Sequence, residues 1–259
     1  MSHERLNVVS ALLVSDVHLG TENPALTDHF CRWITGKTTG PIRPTVLIVL
    51  GDLFDAWVGD DVLHDSVHGV CGQTVADCLR AVTDRGVRVV LMHGNRDFLI
   101  GNAFAKACGA TLIDDPALLS IDNGPSIAIT HGDHLCTGDS AYQQFRSQVR
   151  NIAWQQTFLG RPLSERLTIA LSLREQSEQE KYGKSMQIMD ITPQDAELLV
   201  DRLGADLLLH GHTHRPGCSS LPNGKLRWVL PDWEFGQAPG LARGGGIWVD
   251  QDGTRVVPL

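Results

Sequence analysis

The chain has 259 residues, 42% of them hydrophobic, and a formal net charge of −8 at pH 7. This length and apolar fraction suffice for one α/β domain with a full core. The negative charge disfavours a nucleic-acid partner, because binding to a phosphate backbone requires a basic face.

The first apolar stretch, residues 8–14, does not predict a secretory signal, since Ser10 interrupts it and Glu4 and Arg5 closely precede it. No uncharged apolar stretch approaches the ~20 residues that a membrane-spanning helix needs. The cysteines form no C-x-x-C pair and are typical of reduced, mostly buried thiols in a cytosolic protein. They are Cys31, Cys71, Cys78, Cys108, Cys136 and Cys218.

Short runs rich in Val, Ile and Leu predict five buried strands, and each run ends at a polar block. In chain order they are Leu12–Val14, Val46–Leu50, Val87–Met92, Ile127–Ile129 and Leu207–Leu209. Apolar spacing and start signals predict helices between and after them, at Leu26–Trp33, Gly69–Arg85, Asn102–Cys108 and Gln194–Leu203. The alternation predicts a layered α/β fold. Toward the end, 227–230 and 247–249 predict two returning strands that close a sheet edge.

The segment at about 141–190 departs from this alternation of strands and helices. Tyr142, Phe145 and Val149 have helical spacing, and so do the apolar residues from Leu163 to Leu173. We expect an α-helical cap inserted into a single domain that spans residues 1–259. Residues 146–184 contain seven basic and four acidic side chains, a local charge of +3. This excess makes the cap the candidate for contact with anionic lipid.

The apolar side chains of the cap admit two interpretations. They either line a chamber above the polar blocks or pack the helices against each other and the body. The residues in question are Trp154, Phe158, Leu159, Leu163, Leu167 and Ile169.

The five polar blocks together describe a metal site. They are Ser15-Asp16-Val17-His18, Gly51-Asp52, Gly94-Asn95-Arg96-Asp97, Thr130-His131-Gly132 and Gly211-His212-Thr213-His214. Each alone is an ordinary loop start, but strand ends of α/β sheets are where ligands converge. Two carboxylates, four imidazoles and one amide suit Mn²⁺, Fe²⁺ or Zn²⁺. Seven ligands exceed what one tetrahedral ion can use and fit two ions about 3.5–4 Å apart that share a carboxylate, which predicts a two-metal hydrolase.

The order of the blocks resembles the calcineurin-like metallophosphoesterase superfamily, whose pattern runs D-x-H, G-D, G-N-x-D/E, H-G and G-H-x-H. Residues 51–61, 93–101 and 131–137 are more closely similar to the family of UDP-2,3-diacylglucosamine hydrolases of lipid A synthesis, and 184–190 and 210–216 extend the similarity. The resemblance covers about Ala11 to Pro216. It implies a four-layer α/β sandwich of two packed mixed sheets flanked by helices, with the cap as an insertion.

The resemblance also implies which residues act. One divalent ion would be held by Asp16, His18, Asp52 and His214, and a second by Asp52, Asn95, His131 and His212. Mn²⁺ is the choice that the family suggests, although the ligand chemistry admits Fe²⁺ equally. Metal coordination can bring the pKa of a shared water from ~15.7 towards ~7 and so supply the nucleophile. Among the ligands, Asp52 and His131 are the predicted catalytic residues.

Arg96 is the third predicted catalytic residue. Many superfamily members carry a His after the Asn, which can protonate a departing alkoxide, whereas an arginine with a pKa above ~12 cannot. A guanidinium can instead clamp phosphoryl oxygens, which suits a good leaving group such as the phosphate of a pyrophosphate. The implied reaction is attack of metal-bound water on the UMP-side phosphorus. The alternative is that Arg96 forms an ion pair with Asp97 or Asp55.

Contacts to the glycolipid substrate are implied for seven positions. They are Asn95, Arg96, Asp139, Ser177, Lys181, Lys184 and His212. The position of Lys181 often carries Asn in the family, and Lys cannot accept a hydrogen bond as an amide would. Trp233 and Arg243 admit either a uridine contact or a role within a loop.

The family further implies a cytoplasmic protein that is peripheral on the cytoplasmic face of the inner membrane. Two other functions remain open at this point. One is a soluble metal-dependent phosphodiesterase or nucleotide pyrophosphatase with another substrate. The other is a non-catalytic binding scaffold, which seven competent ligand residues disfavour.

Overall fold

The computed structural model describes residues 4–181, 190–235 and 242–259, without the side chains of Ser177, Glu178, Glu180 and Lys181. Within these residues there are fourteen strands, β1 (Arg5–Val8), β2 (Ala11–Val14), β3 (Val46–Leu50), β4 (Arg88–Met92), β5 (Thr111–Ile113), β6 (Ala117–Ile121), β7 (Ser126–Thr130), β8 (Leu207–His210), β9 (Gly217–Ser220), β10 (Leu226–Val229), β11 (Glu234–Phe235), β12 (Ala242–Arg243), β13 (Gly245–Asp250) and β14 (Gly253–Pro258). The helices of the same residues are α1 (Pro24–Thr38), α2 (Val70–Asp84), α3 (Asn102–Cys108), α4 (Ser140–Val149), α5 (Ile152–Leu159), α6 (Leu163–Lys181) and α7 (Pro193–Leu203). Two 3₁₀ turns lie at Asp60–His64 and Asp133–Leu135.

The strands form two mixed six-stranded sheets and one short two-stranded ribbon of β11 and β12. The first sheet has the order β14-β13-β2-β3-β4-β5, in which β2 to β5 are parallel, β13 is antiparallel to β2, and β14 is antiparallel to β13. The second has the order β1-β6-β7-β8-β10-β9, with β7, β8 and β10 parallel. Parallel strands place their carboxyl ends on the same edge of a sheet, so each sheet presents one set of loops there.

Alternate side chains of the buried strands divide the core into layers. Leu13 and Ile48 of the first sheet pack against Ile129 and Leu209 of the second. The opposite face of the first sheet packs on α1, α2 and α3, and that of the second sheet packs on α7. The result is the predicted four-layer α/β sandwich of two packed mixed sheets flanked by helices.

The five predicted strands and four predicted helices are all present, with ends shifted by a few residues. The first helix is longer than its apolar spacing indicated, because Asn23 caps it and Pro24 occupies its first turn. Three helices, α4 to α6, occupy the part of the predicted cap that the structure describes.

The prediction for the chain end was wrong in one respect. Residues 247–249 belong to β13, which pairs with β2 on one side and with β14 on the other, so β14 is the edge of that sheet. Residues 227–229 belong to β10, in the other sheet. The apolar run 8–14 is likewise divided, because β1 joins the second sheet and β2 the first.

No helix among the described residues is both long and apolar enough to cross a membrane.

Candidate metal centre

The polar blocks converge where the two sheets meet. Asp16, Asp52 and Asn95 follow the neighbouring parallel strands β2, β3 and β4 of the first sheet. His131 and the segment 211–214 follow the neighbouring parallel strands β7 and β8 of the second. The backbone N–H of Gly211 donates to the carbonyl of His131 at 3.0 Å, which fixes the two second-sheet loops to each other.

Two groups of potential ligands form at this junction, one from Asp16, His18 and His214 and one from Asp16, Asp52 and His131. In each group the ligand atoms lie within 4.8 Å of one another. Asn95 and His212 adjoin the second group, because Oδ1 of Asn95 is 2.9 Å from Nε2 of His131 and 2.8 Å from Nδ1 of His212. All seven predicted ligands are therefore brought together.

The backbone of the ligand residues is strained. Asp16, His18, Asp52, His212 and His214 all have φ between 51° and 66°, and among the described residues Asn123 is the other non-glycine residue with a positive φ. This left-handed conformation costs a non-glycine residue about 1–3 kcal/mol and concentrates at functional sites. Here it turns the chain sharply after β2, β3 and β8 and directs these five of the seven ligand side chains to one point.

Two glycines are required by the close packing of these loops. A Cβ on Gly94 would overlap the carboxylate of Asp52, and one on Gly211 would overlap the carboxylate of Asp16. These contacts explain why the polar blocks contain Gly directly before Asn95 and His212.

The tautomer of His131 leaves a lone pair for a cation. Its Nδ1 lies 2.8 Å from the carbonyl of Leu50, which can only accept, so Nδ1 carries the hydrogen. In the neutral ring, Nε2 is then an acceptor that faces the Oδ1 acceptor of Asn95. Two acceptors 2.9 Å apart need a proton or a metal ion between or beside them.

His18 and His214 show the same convergence. Their Nε2 atoms lie 3.2 Å apart, and Nε2 of His214 is 3.5 Å from Oδ1 of Asp16. Behind His214, a carboxylate oxygen of Asp232 lies 3.5 Å from Nδ1 and orients the ring. An outer carboxylate in this position is typical of metal-bound histidines.

The carboxylates and imidazoles perturb one another in the chain without ions. Burial raises the pKa of Asp52 to about 7 against the opposing charge of His131, and the carboxylates of Asp97 and Asp16 act in the same direction as burial. Burial disfavours a charged His131, but the charges of Asp52 and Asp16 outweigh it and raise the pKa of His131 to about 9. A proton or another cation is therefore favourable at this point.

Two of the remaining imidazoles, those of His18 and His212, are kept neutral. Burial lowers the pKa of His18 to about 3 and that of His212 to about 4, with nearby positive groups adding to the effect. Burial disfavours a charged His214 as well, but the hydrogen bond to Asp16 and the charge of Asp16 outweigh it and raise the pKa of His214. Neutral imidazoles have the lone pairs that metal binding needs. The mixed oxygen and nitrogen donors, their convergence and the neutral rings all fit divalent ions of the Mn²⁺, Fe²⁺ or Zn²⁺ class.

Asp97 positions the ligand loops and was not among the predicted site residues. Its fully buried carboxylate accepts hydrogen bonds from the N–H groups of Gly94 at 2.8 Å, Asp52 at 3.2 Å, Leu53 at 2.7 Å and Phe54 at 3.4 Å. The polar block 94–97 contains it, so its chemistry was visible in the sequence but its partners were not.

Arg96 lines a cavity of about 580 Å³ that opens above the metal centre. Its backbone N–H donates to Oδ1 of Asp52 at 2.7 Å. Of the two acidic residues named by the alternative interpretation, Asp97 accepts hydrogen bonds from backbone N–H groups and Asp55 forms an ion pair with Arg174 of α6. The phosphoryl-binding role of Arg96 stays a prediction, and its place in the cavity wall beside the ligands is compatible with that role.

The cap forms the apolar part of the same cavity. Its lining includes Phe145, Trp154, Phe158, Ala170 and Leu173, whereas His18, Asp52, Asn95, His212 and His214 lie at the polar end. Of the six cap residues with two interpretations, Trp154 and Phe158 line the cavity and also pack with the core, where Phe158 is 7% exposed. Leu163, Leu167 and Ile169 pack against the core, and Leu159 is 41% exposed.

The predicted substrate contacts are placed unevenly. Asp139 lines the cavity, and its carboxylate also caps α4 through the N–H of Tyr142 at 3.1 Å. The side chains of Ser177 and Lys181 and the whole of Lys184 lie outside the described residues.

Trp233 has the loop role that the sequence left open, because its ring is 4% exposed and meets Phe30 and Trp33 edge-on. Arg243 pairs with Asp232 at 2.6 Å, and its side chain is 59% exposed, so its contact with uridine stays a prediction.

Two charged residues that were not predicted from the sequence bind the cap to the rest of the domain through hydrogen bonds and ion pairs. Arg166 of α6 is 1% exposed and donates to the carbonyl of Val58 and to both carboxylate oxygens of Asp61. Asp133, two residues after His131, accepts from Tyr142 and Arg146 of α4, each at 2.7 Å. Arg166 and Arg146 lie among apolar residues with helical spacing. This position is a signal in the sequence that could have indicated that they bind the body of the protein.

Comparison with known proteins agrees with this geometry. The sequence pattern of the family described as calcineurin-like phosphoesterase matches residues 10–216. The UDP-2,3-diacylglucosamine hydrolase of Bordetella pertussis is 42% identical over 250 residues, which cover 95% of this chain and 94% of that protein. The proteins of the same name from Chromohalobacter salexigens and Pseudomonas paraeruginosa are 40% and 38% identical, over 88% and 97% of this chain and 91% and 99% of theirs. The chain therefore belongs to the calcineurin-like phosphoesterase family.

Proposed function

We propose that the chain hydrolyses the pyrophosphate bond of UDP-2,3-diacylglucosamine to give UMP and 2,3-diacylglucosamine 1-phosphate (lipid X) in lipid A synthesis. The observation that carries this proposal is the single cavity with two chemically different ends. A cluster of metal-ligating side chains occupies one end, and aromatic and aliphatic side chains of the cap occupy the other. A substrate that joins a pyrophosphate to acyl chains matches both ends. The names of the relatives supply the same substrate.

In this proposal one divalent ion is held by Asp16, His18, Asp52 and His214, and the other by Asp52, Asn95, His131 and His212. When bound, such a pair of ions acidifies a water molecule and neutralises phosphoryl charge. Mn²⁺ is the proposed native metal.

Arg96 supplies the remaining electrostatic contribution. Its guanidinium stays charged at all physiological pH values and can bind two phosphoryl oxygens at once. Water attacks the phosphorus atom on the UMP side, and the bond from that phosphorus to the bridging oxygen breaks. The departing group is a sugar phosphate, which needs no proton from a side chain, so an arginine in place of an acid suits this reaction.

The substrate is further bound by Asp139, Ser177, Lys181 and Lys184, with Asn95 and His212 contacting the phosphates beside the metal ions. Phe145, Trp154 and Phe158 contact the acyl chains. Because these chains reside in lipid, we place the protein in the cytoplasm, peripheral to the inner membrane, with the cap towards the anionic surface. Leu171 of α6 is 60% exposed and Ile152 of α5 is 72% exposed, which favours the cap as the membrane-facing side.

Turnover of purified protein with Mn²⁺ and UDP-2,3-diacylglucosamine tests this function, beside a simple aryl phosphodiester. We expect hydrolysis of the glycolipid and little action on the diester. Asp52→Ala and His131→Ala should abolish turnover while the circular dichroism spectrum is kept. His68→Ala, at an exposed loop position, is the matched control and should retain it. Hydrolysis of the diester alone would contradict the substrate and indicate a phosphodiesterase of another specificity.

A further inference from the structure

A second group of metal-ligating side chains lies outside the centre described above. One carboxylate oxygen of Asp115, one of Asp133 and a ring nitrogen of His134 all lie within 4.8 Å of one another. Asp115 precedes β6, whereas Asp133 and His134 form the 3₁₀ turn after β7. Within the group, Oδ2 of Asp115 is 3.7 Å from Nδ1 of His134.

In each carboxylate of this group, one oxygen accepts hydrogen bonds and the other accepts none among the described residues. Oδ2 of Asp133 accepts from the Tyr142 hydroxyl and from Nε of Arg146, while its buried Oδ1 has no hydrogen-bond partner among the described residues. Oδ1 of Asp115 accepts from the Thr130 hydroxyl at 2.5 Å, while its buried Oδ2 has none within the same residues. The Asp133 side chain is 0% exposed and that of Asp115 is 7% exposed, so bulk water does not satisfy these oxygens. A buried carboxylate oxygen without a donor is strongly unfavourable and calls for a ligand.

The local charge favours a cation as that ligand. Among the groups that bind the two carboxylates directly, one is a guanidinium, that of Arg146, and the other two, Tyr142 and Thr130, are neutral hydroxyls. The charges of His131, His212 and Arg150 also act on Asp133, but none of these groups donates a hydrogen bond to the two open carboxylate oxygens. Within the group of three residues and Arg146, one negative charge remains when His134 is neutral. The His134 side chain is 22% exposed, so the group is open to solvent on that side.

The geometry points to a third cation site in this chain, formed by Asp115, Asp133 and His134 and taking a divalent transition-metal ion. Two carboxylates and one imidazole form an oxygen and nitrogen donor set of the kind that binds Mn²⁺ or Zn²⁺, and water completes the coordination. Ca²⁺ is disfavoured, because it prefers six to eight oxygen donors.

An ion here would have a positioning role. It would hold Asp133, whose other oxygen binds Tyr142 and Arg146 of α4. The Tyr142 ring in turn stacks on His212, a ligand of the main centre, with ring centroids 6.0 Å apart. The third ion would thus couple the first cap helix to the metal centre without touching the substrate.

Metal content of the full chain tests this site independently of any activity. The protein is dialysed against micromolar Mn²⁺, and bound metal is counted by mass spectrometry. We expect three ions per chain in the wild type and in the control His68→Gln, and two in Asp115→Asn and His134→Gln. A wild-type content of two ions, or a content unchanged by both site variants, would overturn the inference.

Anomalous diffraction from wild-type crystals grown with Mn²⁺ decides the question even where a variant fails to fold. We expect a peak within about 2.0–2.5 Å of oxygens of Asp115 and Asp133 and of a ring nitrogen of His134. Density for water alone at that point, with no anomalous signal, would refute the third ion.

Discussion

Replacing Asp97 by Asn tests how far one buried carboxylate holds the metal-binding loops in place. Both of its oxygens are occupied by backbone N–H groups from the loops after β3 and β4. One of the bound residues is Asp52, whose φ of 51° is a strained conformation that the surrounding hydrogen bonds must maintain.

The size of the effect follows from which bonds an amide can keep. The Asn oxygen can retain the bonds from Gly94 and Asp52, but the amide nitrogen would face the N–H of Leu53, now 2.7 Å away, and that of Phe54, at 3.4 Å. A buried group left without its partner costs about 1–3 kcal/mol, and the second bond is long and therefore weak. We expect Asp97→Asn to lower the free energy of unfolding by about 1–4 kcal/mol, most of it from the lost bond to Leu53.

Urea denaturation of the metal-free protein measures this change, and calorimetric Mn²⁺ titration measures its effect on the centre. Loss of such an outer contact lowers metal affinity by about 10–100-fold. Asp77→Asn on the exposed side of α2 is the matched control and should stay within about 0.5 kcal/mol of wild type. An Asp97→Asn protein as stable as that control, with unchanged affinity, would refute the positioning role.

Three further predictions concern the cavity, the arginine and pH. Phe145→Ala should raise KM for the glycolipid with little change in melting temperature, because this ring lines the cavity and is 36% exposed. Phe158→Ala should raise KM and also lower the melting temperature, because its ring is 7% exposed and packs in the core; an unchanged KM in both variants would contradict the lining role. Arg96→Ala should lower kcat by about 10²–10³-fold with metal content near normal, because only the side chain is removed and the N–H to Asp52 stays; loss of metal would indicate a structural arginine. Burial, helped by Arg227, lowers the pKa of His210 to about 3, so the unfolded chain takes up a proton below pH ~6.5 that the folded chain does not. The free energy of unfolding should therefore fall by about 2 kcal/mol from this group between pH 7 and pH 5. Urea titrations at several pH values should show a smaller pH dependence for His210→Gln than for the wild type. An unchanged pH dependence would contradict a neutral buried His210.

The elements that carry the ligands could be predicted because each combines two local signals. A run such as Val46–Leu50 is apolar throughout, which marks a strand buried on both faces, and a potential ligand follows it at once. The repetition of this pattern predicted a layered α/β fold and the convergence of Asp16, Asp52 and His131, whereas the packing of two mixed sheets was implied only by the family resemblance. The helical cap was predicted because this pattern is absent from about 141–190.

Elements without such signals were missed. The run 8–14 is apolar on both sides of Ser10, so nothing local indicates that β1 and β2 enter different sheets. In β14 the side chains are intermediate or exposed, and Val256 is 53% exposed, so no buried face revealed the edge strand.

The supporting contacts of the site depend on distant pairs. Asp97 binds residues 43 to 45 positions away, and Arg166 reaches Asp61 across 105. Asp97 belongs to the polar block 94–97 and Asp133 directly follows the block 130–132, but only the folded chain shows which groups they bind. The tautomer of His131 could not be predicted from the sequence either, because it is set by a distant group, the carbonyl of Leu50.

Hydrolysis of UDP-2,3-diacylglucosamine in ¹⁸O-labelled water with Mn²⁺, followed by mass spectrometry of both products, tests the proposed substrate and the site of attack together. We expect one labelled oxygen in UMP and none in 2,3-diacylglucosamine 1-phosphate. Label in the sugar phosphate would contradict the proposed site of attack, and an intact glycolipid would contradict the proposed substrate.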